Sequence, residues 1–179
     1  MPIYIAMLRG INVSGQKLIK MERLRAVLAE LGLVDVQTYI QSGNVVFKTA
    51  KQSADALAKK IADKILRDFG FPVPALIRTA DEMAAVVAAN PFLKTASADE
   101  SKLHVTFLSN QAPAAAEKTL AGLATKSEWF HVCSREIYLC FPAGYGSTKL
   151  SNAAIEKKLS VQATTRNWKT VNVLAEMGE

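Results

Sequence analysis

The sequence predicts an α+β protein made of two ferredoxin-like, split βαβ halves, each a mainly antiparallel sheet covered by helices. Short apolar runs rich in β-branched residues alternate with longer stretches that repeat apolar residues at helical spacing. Up to about residue 90 their order is βαββαβ, which is the split βαβ arrangement. The same order then recurs after a polar segment, although the two halves show no residue-level similarity.

The first half opens with Ile3–Leu8, an almost unbroken apolar run typical of a central strand. Apolar residues at helical spacing predict a first helix from Met21 to Leu31, ended by Gly32. Val36–Ile40 and Val45–Phe47 are rich in β-forming residues and are separated by a glycine-bearing turn, so we expect a hairpin.

A second amphipathic helix is expected over Leu57–Phe69, followed by a strand over Val73–Arg78. Pro74 lacks a backbone N–H, so this strand should lie at a sheet edge. Thr79 and Glu82 have the spacing of a capping box and predict the start of a third helix.

The polar residues 94–101 predict a linker between domains 1–93 and 102–179. In the second half we expect strands at 103–109, 129–132, 137–141 and 161–164, helices at 112–124 and 152–159, and a closing helix at 166–177.

Composition narrows the class of partner. The 22 Lys and Arg against 16 Asp and Glu give a net charge of +6, which favours phosphates, nucleotides or nucleic acid, although a basic protein without such a partner is equally expected. No apolar run reaches the ~20 residues that span a bilayer, so we expect a cytoplasmic protein with no membrane partner. Cys133 and Cys140 lie near no ligand cluster and are expected to be buried, reduced thiols. Homo-oligomerisation stays open.

The loop from Gly10 to Lys17 follows a strand and precedes a helix, as a phosphate-binding loop does. A true P-loop is disfavoured because Gln16 separates the second glycine from the lysine. A looser anion nest aided by Arg9, Lys17 and Lys20 is one interpretation. The other is a tight exit from the strand that needs glycine only for its backbone.

A second polar segment, Gln41 to Asn44, follows the second strand. In a split βαβ sheet the first two strands run parallel, so this turn should meet the loop after the first strand. The residues expected to converge there as ligand-binding residues are Arg9, Asn12, Gln41, Ser42 and Asn44. The alternative is a plain hairpin turn in which Gly43 supplies a positive φ.

The segment before the closing helix predicts a second candidate binding region, at an edge of the second half. Thr165 is the expected N-cap, and a helix N-terminus favours anions. The candidate ligand-binding residues there are Tyr145, Lys149, Arg166, Asn167 and Lys169. The alternative is a capped helix with a core tryptophan and solvated cations. His104 and His131 lack ligand partners at suitable spacing, so no metal and no cofactor are predicted.

Several segments together resemble the bacterial domain-of-unknown-function family 1697. They are RGINVSG at 9–15, LRAVL at 24–28, YIQSGNVVF at 39–47, Pro91-Phe92, GYGSTKLSN at 144–152 and TTRNWKTV at 164–171. The chain departs from the family pattern at Ser14, where glycine is usual, and at Lys169, where asparagine is frequent. The resemblance implies two ferredoxin-like halves and implies no activity.

From these features we expect a cytoplasmic protein that binds a phosphate-bearing ligand, a nucleotide or nucleic acid, between its two halves. Two alternatives stay open. One is an enzyme acting on an anionic small molecule through electrostatic stabilisation, with no catalytic residue identified. The other is a protein–protein interaction module that uses its strand edges.

Overall fold

The computed structural model describes residues 1–95 and 99–179 and contains two four-stranded antiparallel sheets with helices. The first half consists of β1 (Ile3–Leu8), α1 (Met21–Ala29), β2 (Val34–Tyr39), β3 (Asn44–Lys48), α2 (Ala54–Phe69), β4 (Ala75–Thr79) and α3 (Ala80–Ala88). The second consists of β5 (Leu103–Leu108), α4 (Ala116–Ala121), β6 (Trp129–Cys133), β7 (Glu136–Cys140), α5 (Asn152–Leu159), β8 (Ala163–Asn167) and α6 (Trp168–Met177).

The first sheet has the order β2-β3-β1-β4, so the split βαβ prediction is confirmed. The apolar β1 is central and pairs with β3 and β4, and β4 lies at the edge as Pro74 indicated. Alternate residues of β1 point to one face, where Tyr4, Ala6 and Leu8 join the side chains of α1 and α2 in a buried core.

The predicted capping box of α3 is also present. The Glu82 carboxylate accepts the Thr79 N–H at 2.8 Å, and the Thr79 hydroxyl accepts the Glu82 N–H at 3.1 Å. Because two unpaired N–H groups of the first turn are satisfied in this way, the helix begins directly at the end of β4.

The second sheet repeats the topology with the order β6-β7-β5-β8. Its core contains Leu108, Ile137 and Leu139 from the strands, packed with Leu120 of α4 and Ile155 of α5. The order of elements found in the first half therefore recurs here as a structural repeat.

Two helix boundaries in this half were predicted wrongly. Helix α4 is shorter than 112–124, because the Ala112 N–H is used by the Ser134 carbonyl and Pro113 has no N–H to donate. The closing helix begins at Trp168 and not at residue 166, because β8 continues through Asn167 as a partner of β5. Pairing along β5 outweighs the local helical pattern at these residues.

The Cys133 and Cys140 thiols are both free, but only Cys140 is buried, so the prediction of two buried thiols was wrong for Cys133. Cys133 lies on the edge strand β6, where alternate side chains are exposed. It pairs with Glu136 and not with Cys140.

By their contacts, the described residues form two compact units, Met1–Ala85 with Leu174–Glu179, and Val86–Val173. The division into domains 1–93 and 102–179 with a linker at 94–101 stays a prediction, and residues 96–98 of that linker lie outside the described residues. No helix in the described part of the chain has both the length and the apolar character needed to cross a membrane.

Candidate functional site

The loop after β1 and the turn after β2 meet, and Asn12 joins them. Its side-chain amide donates to the Gln41 carbonyl at 2.7 Å and to the Ile19 carbonyl at 3.0 Å. Its side-chain oxygen accepts the Ile19 N–H at 2.8 Å. Both amide hydrogens are thus used within the protein, so Asn12 acts as a clamp between the loop and the turn.

The loop between Gly10 and Lys20 closes on itself. Ser14 and Gly15 have φ values of 51° and 71°, and the Gln16 N–H donates to the Val13 carbonyl at 2.9 Å. Two successive positive φ angles inside such a bond are typical of a type I′ turn. Lys17 donates its ammonium group to the Pro72 carbonyl at 2.8 Å. This geometry favours the strand-exit interpretation over an anion nest.

The turn at 41–44 is likewise held by its own residues. Asn44 is fully buried and donates to the Tyr39 carbonyl at 3.0 Å and to the Ser42 hydroxyl at 2.9 Å. Gly43 has φ +84°, and a Cβ placed on it would lie 2.7 Å from the Ile11 Cδ1 atom. Arg9 is partly buried beside this turn, and Gln41 is exposed. The side-chain amides of Asn12 and Asn44 thus hold the loop and the turn in place, and ligand binding by Arg9, Gln41 and Ser42 stays a prediction.

The second edge differs from the prediction, because Arg166 and Thr165 belong to β8 and not to the helix start. Thr165 is consequently not the N-cap: its hydroxyl donates to the Asn152 side-chain oxygen and lies 2.7 Å from the Thr106 hydroxyl. The cap is Asn167, whose side-chain oxygen accepts the Thr170 N–H at 2.9 Å.

Arg166 is a buried cation, only 7% exposed. Its Nη1 donates to the Thr164 hydroxyl at 2.8 Å and to the Thr165 carbonyl at 3.1 Å. Burial lowers the pKa of the guanidinium to about 10, and the Tyr145 phenol opposes that change. The guanidinium stays charged at neutral pH in a poorly solvated place, where its field is stronger than in water.

Three aromatic rings lie at this end of the second sheet. The Tyr145 ring stacks on the His104 ring at 5.3 Å between centroids and 28° between planes, and Phe141 lies 5.7 Å from His104. Asn167 is the β8 partner of His104. We call His104, Phe141, Tyr145 and Asn167 the second-edge cluster. Arg166 pairs with Val105, the next residue of β5, so its side chain points to the other face of the sheet from His104.

The surroundings of the His104 side chain favour its neutral form. Its Nδ1 is buried and has no hydrogen-bond partner among the described residues. Burial lowers the pKa of the imidazole, and a smaller influence of the Lys102 backbone opposes that change. A buried acceptor or donor without a partner is rare and indicates a place for a water molecule or a ligand.

The remaining predicted residues, Lys149 and Lys169, are exposed. Lys149 follows the 3₁₀ turn that carries Tyr145, and Lys169 follows Asn167 by two residues. Lys149 is therefore close in sequence to Tyr145, and Lys169 is close to Asn167, both members of the second-edge cluster.

His104 was not among the predicted binding residues, because its sequence spacing was tested only against metal sites. Arg78, which was also not predicted, is the first-half equivalent of Arg166. Arg78 pairs with Ile5 of β1 as Arg166 pairs with Val105 of β5, and each arginine donates Nη1 to the carbonyl of the preceding residue. The pattern Ala-x-x-Arg directly before a helix, at 75–78 and 163–166, could have revealed the correspondence.

The lowered pKa of His104 predicts a loss of stability in acid. The unfolded side chain has a pKa of 6.5 and the folded one a lower pKa. The stabilising contribution is full above pH 6.5 and is lost as the pH falls toward the folded pKa, since the unfolded state then binds more protons. We expect that, between about pH 8 and pH 5, the free energy of unfolding measured by urea denaturation falls less in His104→Gln than in the wild type.

The exposed His131 offers a matched control for this measurement. His131→Gln removes a histidine from the same sheet and should leave the acid-side loss in place. If the free energy of unfolding fell equally steeply with falling pH in the wild type and in His104→Gln, the lowered pKa assigned to His104 would be wrong.

Among residues 1–95 and 99–179, no three His, Cys, Asp or Glu side chains are grouped so that they could hold a metal ion. The model of the family described as "Protein of unknown function (DUF1697)" matches residues 1–138. No curated protein matches the chain. Among solved structures, it is similar to a conserved bacterial protein from Streptococcus pneumoniae, with 23% identity, 99% of each chain covered and a TM-score of 0.75. At that identity the likeness shows the fold alone.

Proposed function

We propose that this chain, which belongs to DUF1697, a family of proteins of unknown function, binds a phosphate-bearing ligand. The ligand would be a nucleotide or a short stretch of nucleic acid, bound at the second-edge cluster. The observation that carries the proposal is the partly buried Tyr145 ring, stacked on His104, whose buried Nδ1 has no hydrogen-bond partner among the described residues.

Each part of the cluster suits one part of such a ligand. An aromatic ring held by a second ring offers its outer face for stacking with a base. The unpartnered Nδ1 of His104 supplies a polar group that a ligand or a water molecule can satisfy.

The charges near the cluster support an anion over other ligands. Lys149 and Lys169 are exposed and near the cluster in the chain, where they can approach phosphate oxygens. The net charge of +6 adds a favourable long-range field. We place the protein in the cytoplasm on the support of its two free cysteines.

Thermal denaturation at low salt tests the proposal with ADP, adenosine and a short oligonucleotide. ADP at ten times its Kd should raise Tm by about 3–6 °C, and added salt should reduce that rise. Adenosine, which lacks phosphate, should give a smaller rise. Tyr145→Ala should weaken binding of both adenosine and ADP.

A pair of double variants separates a local site from general charge. Lys149→Met with Lys169→Met should abolish most of the ADP-dependent rise. Lys157→Met with Lys158→Met removes the same charge from the last turn of α5 and should leave the rise unchanged. An absent rise in the wild type, or equal losses in the two double variants, would overturn the proposal.

A further inference from the structure

A separate cavity of about 270 Å³ lies on the second unit, on the other face of β5 from His104. Its apolar base is a row of side chains across three strands. Cys140 of β7 pairs with Leu103 of β5 on one side and with Trp129 of β6 on the other. Directly paired residues point to the same face, so these three side chains lie next to one another.

Thr95, Pro142 and the residues of the rim complete the lining. Pro142 adds apolar surface, and Trp129, which is 50% exposed, offers its indole at the open side. The rim carries Asp99 and Lys102, one anion and one cation. The Asp99 carboxylate also accepts the Ser101 N–H at 3.0 Å and the Ser101 hydroxyl at 2.7 Å. The rim therefore has no net charge with which to favour an ion of either sign.

We infer that this cavity binds an uncharged aromatic molecule of one or two rings. An apolar cavity of about 150 Å³ takes up benzene, so the observed volume has room for a larger planar ring system. The Trp129 indole can stack on such a ring, and the Cys140 sulfur is a soft, polarizable neighbour for it. The site is independent of the second-edge cluster and of the function proposed for it.

Indole is a suitable probe, and the two tryptophans report on it separately. In ¹H–¹⁵N spectra of the full chain, the Trp129 indole N–H signal should shift and saturate with a Kd of about 1 mM. Trp168 is buried, only 3% exposed, and its signal should stay in place. No shift of the Trp129 signal up to about 10 mM indole, or equal shifts of both signals, would overturn the inference.

Two cysteine variants provide the structural control. Cys140→Met fills part of the cavity and should weaken indole binding at least about fivefold, whereas Cys133→Met, on the same sheet face outside the lining, should not. In the wild-type protein, saturating indole should also slow alkylation of Cys140 by N-ethylmaleimide and leave Cys133 unaffected. Unchanged alkylation of Cys140 would count against the site even if Cys140→Met failed to fold.

The charge of the ligand is tested with indole-3-acetate and tryptamine. Because the rim holds one charge of each sign, their Kd values should lie within about threefold of that of indole. A preference of about tenfold for either ion would overturn the assignment to an uncharged ligand.

Discussion

Replacing Gly43 by alanine should lower the free energy of unfolding by about 3 kcal/mol. At φ +84° an alanine is strained, which accounts for about 1 kcal/mol. Its Cβ would also lie 2.7 Å from the Ile11 Cδ1 atom and 2.8 Å from the Leu8 Cβ atom, both in buried side chains. Relief of that overlap requires movement in the core of the first sheet, which adds about 1–3 kcal/mol. Urea denaturation measures the loss.

Gly10 is the matched control, because it also has a positive φ, +74°, but a Cβ there would meet no atom within 4 Å. Gly10→Ala should therefore cost only the backbone term, about 1 kcal/mol. Equal losses at the two positions would show that the close approach of Gly43 to Ile11 and Leu8 does not decide the conformation of this turn.

Asn12→Ala should lower the free energy of unfolding by about 2–3 kcal/mol. The substitution leaves the Ile19 N–H and the Ile19 and Gln41 carbonyls without the partners they have in the wild type. It also places alanine at φ +53°, a conformation that asparagine tolerates better. The loop before α1 and the turn after β2 then lose their connection. Chemical denaturation again gives the magnitude.

Two further variants define the cause. Gln41→Ala keeps the backbone carbonyl that Asn12 contacts, so it should change stability by no more than about 0.5 kcal/mol. Asn12→Asp keeps the acceptor but turns an oxygen toward two carbonyl oxygens, so it should be destabilising at neutral pH and partly recover in acid. A fully stable Asn12→Ala variant would mean that this side chain does not hold the loop.

Much of the fold was predictable because its signals are local. The apolar run of β1 indicated a central strand, Pro74 indicated an edge strand, and Thr79 with Glu82 indicated a capping box. Each of these features depends on the residue itself or on neighbours within one turn. The order of the elements then leaves few topologies open.

The boundary at Thr165 and Arg166 was not predictable from local pattern. Both residues precede an amphipathic helix, and a threonine there is a good N-cap. Their true position depends on pairing with β5, which lies about sixty residues earlier in the chain. The burial of Arg166 follows from the same pairing, because paired residues point to the same face and the partner Val105 is buried.

The roles of the polar residues were predictable only in part. The meeting of the loop after β1 with the turn after β2 follows from strand direction. The use of the polar atoms of Asn12 and Asn44 within the protein depends on which carbonyls face them, and no sequence pattern gives that. Tyr145 stacks on His104, which spacing alone did not single out, whereas Arg166 pairs with Val105 and points to the other face of the sheet.

A crystal structure of the protein grown with ADP tests the proposed function most directly. We expect the adenine ring to lie against the exposed face of Tyr145 and the phosphates to lie toward Lys149 and Lys169, with density also at the His104 Nδ1. Density for the phosphates at the loop after Arg9, or an unchanged second-edge cluster at saturating ADP, would contradict the proposed site.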